Sequence, residues 1–501
     1  MEGSTIPFLT PVDFQQVCAG QYVTMDHQHH SRDDAASHSI GSQVQKPERL
    51  SGILNASLPN SPPGTLHHIH LDHDGCVSNI SQSDHAPPPQ DIADAHYIDA
   101  RGAIVTPSLC HPHIHLDKAF LLSHPKYAHL QLQRGDFAEA MELTGQAKAM
   151  FERKDLLERG QRLIDESVAT GVTHMRAFVE VDAGVGTKCL DAGIELKQRA
   201  EREGRCTIQI CAFAQLPLFS ASKDDPNGDT IRSLISQAAA RPEVDVLGST
   251  PYVEASRAQM EQNITWLIAL SATHQTHLDF HLDYNVDPTT PPLIHHLLTS
   301  LTSSTWPLQT SHTKTIALGH CTRLTLFTPE EWLSLAHQIR EADLPISFVG
   351  LPTSDLFIMP HPAPPNSLSR RTLDIPYLVT ECGLNACLGV NNIGNAFTPY
   401  GSCDPVLLAC LGVGVYQAGT SREAGLLFEC VSSRAKEAIG FGSGRQEGGA
   451  GGLEVGRGER DLLVWGADEV GWRTMKSVAE TVFLYDGGKG RRVVRSGRVV
   501  G

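Results

Sequence analysis

His-Pro-His-Ile-His-Leu-Asp, residues 111–117, lies in the first of a series of β-rich runs in this sequence. We predict a strand over residues 108–116. Side chains two residues apart leave a strand on the same face, so His113 and His115 can converge on one ion. The pair alone is also what chance produces in a chain with 25 histidines. The segment therefore indicates a metal site that needs further ligands from elsewhere in the chain.

Seven more β-rich runs follow this one, and helical patterns alternate with them. Eight βα units are the number that closes a (β/α)8 barrel, and a span of about 300 residues fits that fold with its usual insertions. The predicted strands are residues 108–116, 172–179, 207–213, 244–249, 277–283, 315–321, 345–351 and 385–391. We therefore predict an α/β protein whose TIM-type barrel occupies residues 107–439.

The helix after the sixth run has a well-marked start. Thr328 is the expected N-cap, Pro329 suits the first turn, and Glu331 completes a capping box. Trp332 and Leu335 then begin an apolar face at helical spacing. This pattern predicts an amphipathic helix that packs on the barrel.

Both flanks of the barrel are too small to fold alone. Residues 49–106 and 460–501 contain short β-rich runs, and we predict that they form one composite, β-sandwich-like domain from both chain ends. The polar, His-rich residues 1–48 predict a disordered N-terminal tail. The Gly-rich residues 440–459 predict a flexible surface loop.

The overall composition fits one large barrel with a small attached domain. The chain has 501 residues and a formal charge of -16, which disfavours nucleic acid and anionic membranes as partners. Neither a signal-like apolar region nor a run of about 20 apolar residues is present, so we expect a soluble, cytoplasmic protein. The twelve cysteines lack paired spacing, which predicts reduced thiols.

Two further histidines end predicted strands. His281 ends the fifth run and His320 ends the sixth, and the active sites of TIM barrels lie at the C-terminal ends of the strands. Each histidine alone could be a buried structural residue. Together with the first pair they place four imidazoles at equivalent depth, which predicts one divalent ion, zinc or iron. A barrel with incidental histidines is the least favoured interpretation.

These motifs resemble one branch of the amidohydrolase superfamily, the cytosine deaminases and N-isopropylammelide hydrolases. The resemblance covers about residues 50 to 500. The matching pieces are Pro112–Lys118, Gln215 in Ala-Phe-Ala-Gln, His281 in His-Leu-Asp, His320 in Gly-His-Cys-Thr, and Leu388–Asn392.

The resemblance implies a role for each matched residue. The implied metal ligands are His113, His115 and His281. His320 is expected to touch the metal-bound water, and Gln215 to recognise a ring amide of the substrate. We assign Phe397, in the strand-eight region, as a second substrate contact. An equally good interpretation of Gln215 is an amide that satisfies nearby backbone groups.

The sequence departs from the branch at two positions. Asn391 occupies the place of a metal-binding aspartate on strand eight, and its carbonyl can bind the ion but cannot accept a proton. Tyr284 occupies the place of a proton-shuttling glutamate, and a phenol is a poor base at neutral pH. Strand alternation predicts that Asp283 shares the face of His281, so we expect it to be a substitute carboxylate.

Two hypotheses for function remain. The leading one is a metal-dependent amidohydrolase in which metal-bound hydroxide attacks a non-peptide C–N bond of a small cyclic nitrogen compound, with His320, Asp283 and Tyr284 as catalytic groups. The alternative is a catalytically degenerate relative that binds a ligand or partner without turnover. Lys118 suggests a carbamate-bridged pair of metals, but its place on the first strand favours a single ion. Homo-oligomer formation is left open.

Overall fold

A computed structural model describes nine parts of the chain. They are residues 49–83, 96–220, 225–306, 310, 313–358, 371–442, 452–453, 455 and 459–501. From Pro47 to Gly501 the chain folds as one unit. The predicted tail over residues 1–48 and most of the predicted loop over residues 440–459 lie outside the described residues.

A small sheet from the N-terminal part of the chain precedes the barrel. Its strands are β1 (Gly52–Ala56), β2 (His67–Leu71), β3 (Val77–Gln82) and β4 (Tyr97–Asp99). Their order is β3-β2-β1-β4, with β4 parallel to β1 and the other pairs antiparallel. A fifth strand, β5 (Val105–Pro107), leads directly into the barrel.

A parallel sheet forms the centre of the molecule. In the described part of the chain it has eight strands that pair in chain order. They are β6 (Leu109–His115), β7 (Val172–Glu180), β8 (Thr207–Ala214), β9 (Val244–Ser249), β10 (His277–Leu282), β11 (Ile316–His320), β12 (Ile346–Gly350) and β13 (Asn385–Leu388). Nearly every residue of these strands is buried, as expected for a sheet covered by helices. Each strand overlaps its predicted run, and the predicted barrel is confirmed.

Asn391 closes the barrel between its last and first strands. Its N–H donates to the His113 carbonyl at 3.0 Å, and its carbonyl accepts from the His115 N–H at 2.8 Å. These bonds form a parallel bridge between Asn391 and Ile114. Asn391 has a φ of 63°, a left-handed conformation that asparagine adopts more readily than most side chains do.

Helices cover the barrel between successive strands. They are α1 (Phe137–Ala149), α2 (Arg153–Thr170), α3 (Lys188–Glu203), α4 (Asp229–Ala239), α5 (Arg257–His274), α6 (Ile294–Ser303), α7 (Pro329–Glu341), α8 (Pro352–Ile358), α9 (Ile375–Thr380), α10 (Val406–Val415), α11 (Ser421–Glu429), α12 (Ser433–Ala438) and α13 (Val478–Phe483). The predicted capping box of α7 is present, because Glu331 accepts from the Thr328 N–H at 2.7 Å and Thr328 accepts from the Glu331 N–H at 3.3 Å. None of the helices in the described ranges has the length and hydropathy of a membrane-spanning segment.

Strands from both chain ends share a second small sheet. Its C-terminal members are β14 (Asp461–Val464), β15 (Arg492–Arg495) and β16 (Arg498–Val499). β14 pairs antiparallel with β5, and the order is β16-β15-β14-β5. One buried apolar cluster joins both small sheets, with residues such as Ile53 and Ile69 against Leu462 and Val494. The exact limits of a composite domain remain our proposal.

A buried ion pair crosses the barrel interior below the ends of the strands. Arg176 on β7 donates to Asp279 on β10 at 3.0 Å, and both side chains are fully buried. The same guanidinium donates to Gln209 at 3.0 Å. Burial raises the pKa of Asp279 to about 7, and the charge of Arg176 opposes that rise. The carboxylate thus depends on Arg176 for its charge.

Replacing Arg176 with methionine should destabilise the fold strongly. The substitution leaves Asp279 buried without its partner, which typically costs about 3 to 5 kcal/mol of the free energy of unfolding. Arg153→Met is the control, because the side chain of Arg153 is 72% exposed in its pair with Glu195 and should contribute less than about 1 kcal/mol. Urea unfolding measures both, and equal effects of the two substitutions would contradict the interpretation.

Candidate metal centre

Three buried histidines converge at the C-terminal ends of the barrel strands. His113 and His115 come from β6 and His281 from β10, and one ring nitrogen of each lies within 4.8 Å of the others. Both ring nitrogens of His113, Nδ1 of His115 and Nε2 of His281 are buried without a hydrogen-bond partner. Desolvation holds the pKa of each imidazole well below its usual value, so the rings are neutral and their lone pairs are free. This donor set fits a divalent ion such as zinc or iron.

Aromatic rings hold the three imidazoles in place. The ring of Phe178 lies 4.0 Å from that of His113 and 5.0 Å from that of His115, measured between centroids. Phe213 lies 4.4 Å from the ring of His281. Because these side chains come from β7 and β8, the neighbouring strands fix the ligand orientations through packing.

Two glycines make room for His113. A Cβ atom at Gly319 would lie 3.1 Å from His113 Cε1, and one at Gly389 would lie 3.1 Å from His113 Cβ. Behind the ring, Asp279 Oδ1 lies 3.8 Å from His113 Nδ1, and neither atom has a hydrogen-bond partner. A carboxylate in this place would favour an imidazole whose other nitrogen is available to a metal ion.

Asn391 presents its side chain to the same centre. Its Oδ1 is buried without a hydrogen-bond partner, while its backbone groups close the barrel beside His113 and His115. The position agrees with a fourth ligand, and that role remains a prediction. An amide oxygen there brings no negative charge to the ion.

His320 lies beside the three histidines and has a different set of contacts. It ends β11 with a φ of 65°, and its ring centroid is 5.1 Å from that of His281. Its Nδ1 makes a 2.7 Å hydrogen bond with Oδ1 of the buried Asp355. One nitrogen is thus engaged by a carboxylate, which leaves Nε2 for the cavity.

A cavity of about 20 Å³, room for about one water, opens on this cluster. It is lined by His115, Lys118, Phe137, Gln215, Tyr252, His281, Tyr284, His320, Ser354, Ile358, Asn391, Asn392 and Phe397. The predicted substrate contacts Gln215 and Phe397 are therefore both at the cavity.

Aromatic side chains form much of the cavity wall. The Tyr284 ring centroid lies 4.3 Å from that of His320 and 5.6 Å from that of Tyr252. Phe137, at the start of α1, lies 5.9 Å from Phe397. The Tyr284 hydroxyl is buried without a partner, and burial raises its pKa well above the usual value. This hydroxyl is therefore a protonated donor.

The structure corrects our expectation for Asp283. Its φ of 49° breaks the strand alternation on which that expectation rested, and its carboxylate turns towards α6. The two oxygens accept the N–H groups of Leu293 at 2.7 Å and Ile294 at 3.1 Å. Asp283 is absent from the residues that line the cavity. It is engaged as a cap for the start of α6.

Lys118 reaches the cavity but is already paired. Its ammonium binds the buried Glu180, which also binds Lys148. The neighbouring Asp117 accepts the Glu180 N–H at 2.8 Å. A carbamate requires a neutral amine, so this pairing favours the single ion over a carbamate-bridged pair.

Sequence reasoning missed several wall residues. Tyr252 and Ser354 follow the ends of β9 and β12, the edge where barrel sites form, and that position could have identified them. Asn392 follows Asn391 in the strand-eight segment. Phe137 and Ile358 come from helices beyond the strands, and no motif in the sequence marks them.

Known proteins share this architecture. The chain is similar to N-isopropylammelide isopropyl amidohydrolase of Pseudomonas sp. (strain ADP), with 24% identity over 416 residues, 80% of this chain and 87% of that protein. The crystal structure of 5-methylcytosine deaminase from Klebsiella pneumoniae with 5-fluorocytosine matches with a TM-score of 0.71 and 21% identity, and covers 90% of this chain and 97% of its own. The chain is thus similar in sequence to an amidohydrolase and shares the fold of these enzymes.

A second solved structure has the same fold. N-isopropylammelide isopropylaminohydrolase from Burkholderia multivorans matches this chain with a TM-score of 0.65 and 22% identity, over 90% of this chain and 97% of its own. No protein-family model matches the sequence. The resemblance to the cytosine deaminases and N-isopropylammelide hydrolases is confirmed.

Replacing His113 should remove bound metal, whereas replacing its neighbour His111 should not. His111 lies on the same strand and is equally buried, but it contacts Ser167 at 3.1 Å and is not part of the cluster. We expect about one zinc per chain for His111→Gln and less than about one-tenth for His113→Gln. Metal analysis after dialysis measures both, and full zinc content in His113→Gln would contradict the assignment.

Proposed function

We propose that this protein is a metal-dependent enzyme that hydrolyses a C–N bond, other than a peptide bond, in a small cyclic nitrogen compound. The observation that carries the proposal is the convergence of three neutral, partnerless imidazoles on one side of a cavity with aromatic walls. Support comes from relatives named as a 5-methylcytosine deaminase and as N-isopropylammelide hydrolases.

The ligands for the ion are His113, His115, His281 and the Asn391 amide oxygen. A zinc or iron ion bound there would act as a Lewis acid and make water a nucleophile at neutral pH. His320 faces the same centre and orients the attacking water. The positions of these side chains around one cavity support the proposed roles.

Gln215 and the aromatic wall suit a planar ring. Gln215 and Tyr252 line the same cavity, and an amide can both donate to and accept from a ring amide. Phe397 and Phe137 offer apolar surface to the faces of a heterocycle. We therefore propose a small heterocycle as the partner and a cytoplasmic location, with no role for nucleic acid or membrane in this chain of charge -16.

Tyr284 acts as a hydrogen-bond donor in this proposal. Its buried hydroxyl has no protein partner and lies at the cavity beside His320. Because burial keeps the phenol protonated, it can donate a hydrogen bond to the nitrogen that leaves but cannot remove a proton from water. We therefore propose a substrate whose hydrolysis does not require a glutamate at this position to remove a proton.

One observation favours the alternative, a relative that binds without turnover. Among the described residues, no aspartate or glutamate lines the cavity. Asn391 and Tyr284 stand where the branch has acidic groups, and Asp283 is turned away. Such a site could still bind a metal ion and a ring.

A substrate panel with variants separates the two functions. Zinc-loaded protein is assayed for amine or ammonia release from cytosine, 5-methylcytosine and N-isopropylammelide. We expect turnover of one such ring by the wild type, a loss of about 10² to 10⁴ in kcat for Tyr284→Phe, and slower reaction after Tyr284→Glu with Asn391→Asp. Turnover only by the double variant would support the non-catalytic alternative instead.

A further inference from the structure

A carboxylate lies directly behind His320, although none lines the cavity in the described ranges. Asp355 is in the first turn of α8, just after β12, and it is fully buried. Its Oδ1 lies 2.7 Å from His320 Nδ1, a distance typical of a charge-assisted hydrogen bond. No motif singled out this residue in the sequence.

The Asp355 carboxylate is fixed from two sides. Its Oδ2 accepts the Thr372 hydroxyl at 2.9 Å, and its backbone N–H donates to the Leu351 carbonyl at 2.9 Å. Burial raises the pKa of this carboxyl, and the bonds from His320 and Thr372 oppose the rise. A carboxylate held in this way cannot rotate away from the imidazole.

We propose that Asp355 is a positioning residue that holds His320 in one tautomer, with the proton on Nδ1 and the lone pair of Nε2 directed at the cavity. An ionised carboxylate only accepts hydrogen bonds, so it selects the tautomer that has a proton on the facing nitrogen. In the described part of the chain, no protein group bonds to Nε2. This inference rests on the proposed function.

His320 then transfers the proton, because no carboxylate among the described residues lines the cavity. As the water oxygen bonds to the ring carbon, its O–H bond breaks and Nε2–H forms. The same proton then moves from Nε2 to the departing nitrogen as the C–N bond breaks, and His320 returns to its neutral state. One water is consumed and no other reactant is needed, while Asp355 remains ionised and stabilises the transient imidazolium.

The backbone at His320 supports an enforced position. His320 and Cys321 have φ angles of 65° and 50°, a left-handed conformation that side chains other than glycine keep only where surrounding contacts impose it. The competing explanation is that Asp355 only ties α8 to the segment at Thr372. In that case, loss of the Thr372 hydroxyl should lower kcat as much as loss of the bond to His320.

The tautomer can be measured without any substrate. In zinc-loaded protein with ¹⁵N-labelled histidine, the signals of His320 are those missing from His320→Gln. We expect a protonated Nδ1 and an unprotonated Nε2 in the wild type, and loss of this preference in Asp355→Ala. A wild-type His320 with its proton on Nε2, or an unchanged tautomer in Asp355→Ala, overturns the proposal.

Kinetics then separate positioning from packing. Asp355→Ala should lower kcat by about 10² to 10⁴ with little change in KM or zinc content. Thr372→Val, the control that removes only the second bond, should lower kcat less than about ten-fold. In a His320→Gln background, Asp355→Ala should have almost no further effect, because both changes remove one function. Equal losses in Asp355→Ala and Thr372→Val overturn the proposal.

Failure of this inference differs from failure of the proposed function. If no ring compound is hydrolysed, the function is wrong, and the imidazole spectra still decide whether Asp355 selects the tautomer. If a compound is hydrolysed but the spectra show the other tautomer, only the role of Asp355 is wrong.

Discussion

The backbone hydrogen bonds at Asn391 close the barrel and fix the strand that carries His113 and His115. The last strand segment bonds to the backbone of His113 on one side and of His115 on the other. The backbone of both histidines is thus anchored by the residue whose side chain lies at the same cavity. A shift of the closing segment by one residue would take the Asn391 amide oxygen out of its place beside the two imidazoles. The closure of the barrel and the geometry of the candidate metal centre therefore depend on the same residue.

In the described part of the chain, carboxylates lie behind the histidine rings and none lies at the cavity surface. Asp279 lies behind His113 and is paired with Arg176, and Asp355 lies behind His320. Asparagine and tyrosine hold the positions that face the cavity. Carboxylates in the second layer act on the chemistry through the rings, because they determine which nitrogen of each ring is available. This arrangement keeps negative charge next to the histidine rings, although no described carboxylate lines the cavity.

Much of the fold and the ligand set follows from local patterns. The eight strands are visible as apolar runs, and His113, His115 and His281 are placed by strand ends and alternation. Alternation fails at Asp283, since a left-handed backbone conformation turns its carboxylate to the start of α6. Phe137 and Asp355 could not be predicted, because they belong to helices whose approach to the cavity depends on packing between distant parts of the chain.

We propose that one divalent ion is bound by histidines of β6 and β10. Anomalous diffraction at the zinc edge, from crystals of zinc-loaded protein, locates such an ion. We expect one strong peak at about 2.0 to 2.1 Å from nitrogens of His113, His115 and His281, with a longer or equal distance to Asn391 Oδ1. A zinc peak elsewhere, or none within bonding distance of these three rings, would contradict it.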